Sequence, residues 1–123
     1  MQSILGNNTR KADIIFSSTG RIDITARVAK HLQLSRGDVI DVMVDNGEYY
    51  LYVKRRTPVN GRYEAMVLPT NKRGNHFRAY SRRLCSAIFR ASGAANTARL
   101  CIGVPVDSVV YGPLLPIIIK LLL

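Results

Sequence analysis

The 123-residue sequence has no tryptophan, only two cysteines, and only eight Asp and Glu against eighteen Lys and Arg. Each shortage excludes something. Two cysteines, Cys85 and Cys101, with no nearby His or second Cys pair cannot supply the four ligands of a structural zinc site. They read as small buried apolar side chains, with a disulfide between them as the lesser alternative. Few carboxylates, six of them before residue 57, leave Glu64 and Asp107 alone in the second half. No paired carboxylates are available for general acid–base work. His31 and His76 have no nucleophile beside them in sequence, and "TNKRGN" (70–75) lacks the spacing of a phosphate-cradling loop. The sequence therefore gives no catalytic residue, no metal ligand set and no cofactor motif, and the expectation is that the chain is not an enzyme. A long apolar run is also missing. The tail "LLPIIIKLLL" is interrupted by Pro116 and Lys120 and is shorter than the roughly 20 residues that span a bilayer. It reads as a core strand or an oligomer contact, with no membrane partner expected.

What the chain does have is positive charge, unevenly spread. The formal net charge is +10. Residues 1–56 hold nine Lys and Arg against six Asp and Glu, and residues 57–123 hold nine against two. Such a balance favours a polyanionic partner, whether nucleic acid, an anionic membrane surface or an acidic protein, although it also serves plain solubility. Apolar residues make up 47% of the chain, enough for a core. The N-terminus does not read as a signal peptide, so the expected location is the cytoplasm, or a virion if the chain comes from a phage.

Along the chain, 1–12 is polar and reads as flexible. "DIIFSS" (13–18) and the alternating "RIDIT" (21–25) read as strands around a Thr-Gly turn. Thr25 is placed to cap the short helix "ARVAKHLQL" (26–34), and "SRGD" (35–38) ends it. "VIDVMVD" (39–45) and "EYYLYVKRR" (48–56) flank Asn46-Gly47, a strong hairpin signal. After the turn-rich "TPVNG" (57–61), "RYEAMVLPT" (62–70) reads as a strand and "NKRGN" (71–75) as a basic loop. "HFRAYSRRLCSAIFRA" (76–91) reads as a helix, with Phe77, Tyr80, Leu84, Ala87, Ile88 and Ala91 on one apolar stripe. "ARLCIGVPV" (98–106) reads as a strand kinked near Pro105, followed by further extended pieces. No internal repeat is apparent.

The order Gly20-Arg21-Ile22-Asp23-Ile24, short basic helix, Leu34-Ser35-Arg36-Gly37-Asp38 turn, then a hairpin over 39–53, resembles the AbrB/MazE/SpoVT-type swapped-hairpin domain. The resemblance covers 13–56 and departs at Thr25, where the family usually has Pro. It implies a DNA-binding module in which two chains interlock hairpins into one barrel and present paired basic loops to DNA. Carried onto this sequence, the contacts are Arg21, Arg27 and Lys30.

A second basic cluster, Lys72, Arg73, Arg78, Arg82 and Arg83, is read as a phosphate-holding surface. Arg78 and Arg82 would share a helix face, with Lys72 and Arg73 before the positive helix end. The resulting expectation is an α+β, mostly β chain. It comprises a flexible N-terminus (1–12), a swapped-hairpin β-barrel N-terminal module (13–56) and a β-α-β basic extension (57–123). The expected function is a dimeric DNA-binding regulator of transcription acting on duplex DNA, as a homodimer or a higher even-numbered homo-oligomer. The rival readings are an assembly protein of a phage or mobile element, with an acidic protein or packaged nucleic acid as partner, and an antitoxin-like component. The apolar, non-acidic tail counts against the last.

Overall fold

The computed structural model describes residues 11–56 and 63–120. Among these, nine strands and two helices make a mostly β chain. Strands β1 (Ile14–Ser17) and β2 (Arg21–Ile24) are followed by helix α1 (Ala26–Leu32), then β3 (Val39–Asp45) and β4 (Glu48–Arg55). The second half holds β5 (Leu68–Pro69), β6 (Phe77–Tyr80), α2 (Arg82–Ser92), β7 (Thr97–Ile102), β8 (Val106–Ser108) and β9 (Gly112–Ile118). All pairings are antiparallel. They give one curled half-barrel sheet in the order β3-β4-β9-β7-β1-β2-β6-β5, with β8 on β9. The segment before β5 returns to β3 through a Val39–Met66 bridge. Backbone bonds from Ile40 N–H to Ala65 C=O and from Val67 N–H to Asp38 C=O reinforce it. The hydrogen-bond circuit thus comes back to its starting strand.

Alternation places the core. In β2, Ile22 and Ile24 are buried while Arg21 is exposed, and in β6 Phe77 and Ala79 are buried while Tyr80 is exposed. Ile14, Phe16, Leu100, Leu51 and Leu115 complete the interior with Val28 and Leu32 of α1 and Cys85 and Ile88 of α2. Asn46 and Gly47 both take positive φ (51° and 78°), the twist that a two-residue hairpin requires. Both cysteines are buried and free. Residues 114–118 of the apolar tail belong to the interior strand β9, which touches β4, β7 and β8, while 121–123 lie outside the described residues.

Sheet contacts join the two halves at β1 with β7, β2 with β6 and β4 with β9, besides the Val39–Met66 bridge. The halves also share a local plan. Each runs strand, hydroxyl residue, helix, left-handed residue, strand: β2-Thr25-α1-Gln33-β3 and β6-Ser81-α2-Gly93-β7. The paired motifs "RIDIT" and "FRAYS" carry this plan, although the sequence offers no extended repeat.

Five expectations need correction. The helix read over 76–91 begins only at Arg82, because Phe77–Tyr80 is a strand paired with β2. Ser81 halts the strand and caps the helix, its Oγ accepting the Leu84 N–H at 3.1 Å. Tyr80 therefore leaves the expected core stripe and is 58% exposed. Arg78 and Arg82 do not share a helix face, since one lies on β6 and the other opens α2. Finally, Thr25 makes no side-chain cap; its Oγ1 donates to the Asp13 carbonyl at 2.7 Å, tying α1 back to β1. The strand read over 62–70 shrinks to the Met66 bridge and β5, with Glu64 and Ala65 in a turn. Its first residue, Arg62, lies outside the described residues, as do the turn at 57–61 and the N-terminus through residue 10.

Candidate nucleic-acid interface

The outward face of β2 and β6 gathers part of the basic set. Arg21 is opposite Tyr80, and Asp23 is opposite Arg78. Asp23 accepts from Arg78 Nε at 2.7 Å and pairs with Arg21 Nε at 3.2 Å, so one carboxylate serves two guanidinium groups. The hydrogen bond to Asp23 raises the Arg78 pKa further above its ordinary value. Arg99 on β7 is opposite Ile15 on β1, which is opposite Asp23. A cross-strand row therefore runs Arg99–Ile15–Asp23–Arg78 over four strands. At about 4.8 Å per strand it spans roughly 14 Å.

Two basic groups bracket this face. Lys72 and Arg73 lie in the loop before β6, and Arg82 starts the helix after it. They sit at opposite ends of β6, whose four residues extend about 13 Å. The loop is therefore remote from the positive end of α2, contrary to the arrangement read from the sequence. Asn71 shapes it: its Oδ1 accepts the N–H groups of Asn75 and His76 at 3.2 and 3.1 Å. At the other end, the β1–β2 turn packs against Arg82. Gly20 adopts φ +92°, and a Cβ there would stand 2.9 Å from Arg82 Cγ and 3.3 Å from its backbone N. Only glycine fits both the conformation and the approach.

The remaining members are separately placed. Arg27 and Lys30 are exposed on α1, and Arg27 reaches the buried Asp13 at 3.6 Å. Arg83 is engaged with Glu64, its Nε within 3.0 and 3.1 Å of the two carboxylate oxygens. Hydrogen bonds from Arg83 and then Ser81 lower the Glu64 pKa to about 2. Its contribution to stability is complete above the ordinary carboxylate range, near 4.5, and is lost as pH falls towards 2. Acid unfolding of Glu64→Gln, followed by circular dichroism, should accordingly show a shallower loss of stability between pH 4.5 and 2 than the parent chain. An equally steep loss in that window would assign the acid sensitivity to other groups.

Lys30, Lys72, Arg73 and Arg82 are exposed and form no ion pair among the described residues. Sequence reading missed Arg56, which does structural work. It donates to the Leu32 and Gln33 carbonyls at the end of α1 (2.7 and 3.0 Å) and faces buried Asp38 at 3.7 Å. The signal available was a cation placed after a helix–turn–hairpin unit, too common to single out. Burial pushes the Cys85 thiol pKa up, a direction opposite to that of a reactive cysteine.

No protein-family model matches the chain, and no curated protein or solved structure matches it. No helix among the described residues is long and apolar enough to cross a membrane.

Proposed function

We propose that the chain is a DNA-binding protein, a regulator of transcription, that contacts duplex DNA through its unpaired basic side chains. In this reading residues 13–56 are an AbrB-type swapped-hairpin module. The pairing of β6, β7 and β9 with β2, β1 and β4 joins the second half to this module. The observation that carries the reading is that Lys30, Lys72, Arg73 and Arg82 are exposed without an ion-pair partner among the described residues, with Arg21 and Arg78 sharing one acid between them. Basic groups left uncompensated on a chain of net charge +10 are suited to release counterions from a phosphate backbone. Arg27 and Arg83 support the surface while engaging Asp13 and Glu64.

Fluorescence anisotropy of a labelled duplex, titrated at several salt concentrations, tests this. Each phosphate neutralised contributes about 0.9 to the slope of log K against log salt. Replacing Lys72 and Arg73 together by Ala should lower that slope by about 2 and weaken binding on all sequences alike. An unchanged slope would remove the loop from the interface. Light scattering of the same samples should show a homodimer, or a higher even-numbered oligomer, that gains mass on DNA at low salt.

A second reading, an assembly protein, draws on one observation. Val104, Val106, Val109, Val110 and Tyr111, in and before the β8–β9 hairpin, are all exposed. Contiguous exposed apolar residues of this kind commonly mark protein contacts. A large oligomer indifferent to DNA would favour it over the regulator.

A further inference from the structure

A cleft of about 670 Å³ opens between the end of β6 and the turn that leads into β5. Its walls include Tyr63, Met66, Leu68 and Tyr80, and Arg82 stands at its edge. The volume lies in the range of roughly 300–1,000 Å³ common for small-ligand sites. Two features set it apart from an ordinary surface hollow. Tyr63 and Tyr80 are about half exposed, at 47% and 58%, although Tyr80 lies on a strand paired with β2. The surroundings are cationic: Arg55 lies over the Tyr63 ring, 6.0 Å from its centroid, and Arg21 is the cross-strand partner of Tyr80. Glu64, also on the wall, has its carboxylate occupied by Arg83 and Ser81, which offsets its charge towards an incoming anion.

Exposed aromatic faces, a thioether and a leucine beside a guanidinium form a combination suited to a flat heterocycle that carries a phosphate. A base inside a duplex is stacked and paired on all sides and cannot enter. A base with no partner can. We propose that this cleft binds an unpaired nucleotide of a single-stranded nucleic acid. The base lies against Tyr80 and Tyr63, its phosphate meets Arg82, and the adjoining backbone follows Arg21 and Arg78 along the β2–β6 face. The proposal rests on the nucleic-acid reading of the positive charge but not on the duplex contact.

The chain has six tyrosines and no tryptophan, so its ultraviolet emission reports tyrosine directly. The test titrates the full chain with a short oligothymidylate, a blunt duplex and thymidine monophosphate, reading tyrosine quenching and anisotropy. Oligothymidylate should quench the emission, and Tyr80→Leu should weaken its binding about tenfold, in line with the loss of one stacked base. Tyr80→Phe should retain binding. Duplex affinity should stay within about twofold in both variants. Arg82→Gln, at an exposed position, provides a second arm should Tyr80→Leu fail to fold, and should also weaken the oligomer. Oligothymidylate affinity unchanged in Tyr80→Leu and in Arg82→Gln overturns the proposal. Thymidine monophosphate bound as tightly as the oligomer assigns the cleft to free nucleotides and overturns the strand. Duplex binding without oligomer binding defeats the cleft and leaves the duplex reading standing; Tyr80-dependent oligomer binding without duplex binding does the reverse.

Discussion

Deleting residues 114–123 should abolish the cooperative unfolding transition. The lost segment holds most of β9, in which Leu115 and Ile117 are buried and which pairs with β4, β7 and β8. Its removal strips β4 of one neighbour and leaves the C-terminal end of β7 without its β9 partner, while Leu51 and Ile102 lose their cross-strand partners Leu115 and Ile117. Removing a single buried leucine costs about 2–5 kcal/mol, and a whole domain is held by about 5–15 kcal/mol. Losing a central strand therefore exceeds what the fold can absorb. Thermal melts by far-ultraviolet circular dichroism would show it as a broad, sloping signal. A sharp transition in the truncated chain would mean that the tail is dispensable and that its apolar residues serve a contact outside the fold. The point variant Leu115→Ala should lie between, lowering stability by about 2–5 kcal/mol without erasing cooperativity.

The second large effect is expected at Asp38, which is 2% exposed. Its Oδ2 accepts the Ser35 N–H at 2.9 Å and faces Arg56 at 3.7 Å. Arg56 in turn covers the last carbonyls of α1. One carboxylate thus closes the turn after α1 and steadies the cation that finishes the helix. Asp38→Ala leaves the Ser35 N–H without its acceptor and the half-exposed Arg56 guanidinium without its counter-charge, and should cost about 1–3 kcal/mol in urea denaturation. Asp38→Asn preserves an acceptor for Ser35 and loses only the charge, so it should fall well short of that. Equal losses in the two variants would show that the charge, and not the turn hydrogen bond, carries the effect.

Local patterns in the sequence were readable wherever the chain pairs with its own neighbourhood. The β3–β4 hairpin lies where alternation and Asn46-Gly47 put it, with Asp45 opposite Glu48 across the turn. Ile22 and Ile24 face inward as their spacing implies, and α1 buries Val28 and Leu32. The reading failed where a partner far along the chain decides the structure. "HFRAY" satisfies a helical stripe as well as a strand alternation, and it becomes β6 because β2 offers an edge to it. The same distant partner turned Tyr80 outward and so created the cleft, which no local pattern announced. Thr25 failed differently: the carbonyl of Asp13, just before β1, outcompeted the helix N–H groups for its hydroxyl. Of the basic residues, the sequence could nominate them but not say which were already engaged. Arg27 and Arg83 have acidic partners contributed from other elements, whereas Lys72 and Arg73 have none among the described residues.

The stitching of the two halves has a consequence for how the molecule is made. Ile14 faces Leu100 and Tyr49 faces Ile117, so β1 waits for β7 and β4 waits for β9. Only β1–β2 and the β3–β4 hairpin can pair before the second half appears, and a lone hairpin is marginal in water. On a ribosome β1 and β4 therefore emerge with open edges, and the sheet closes only once β7 and β9 are available. Pairings of such sequence separation fold slowly and keep sticky edges on view meanwhile. The abundance of Lys and Arg then acquires a use before any ligand is met: a nascent chain of strong positive charge repels its own copies while it waits for β9.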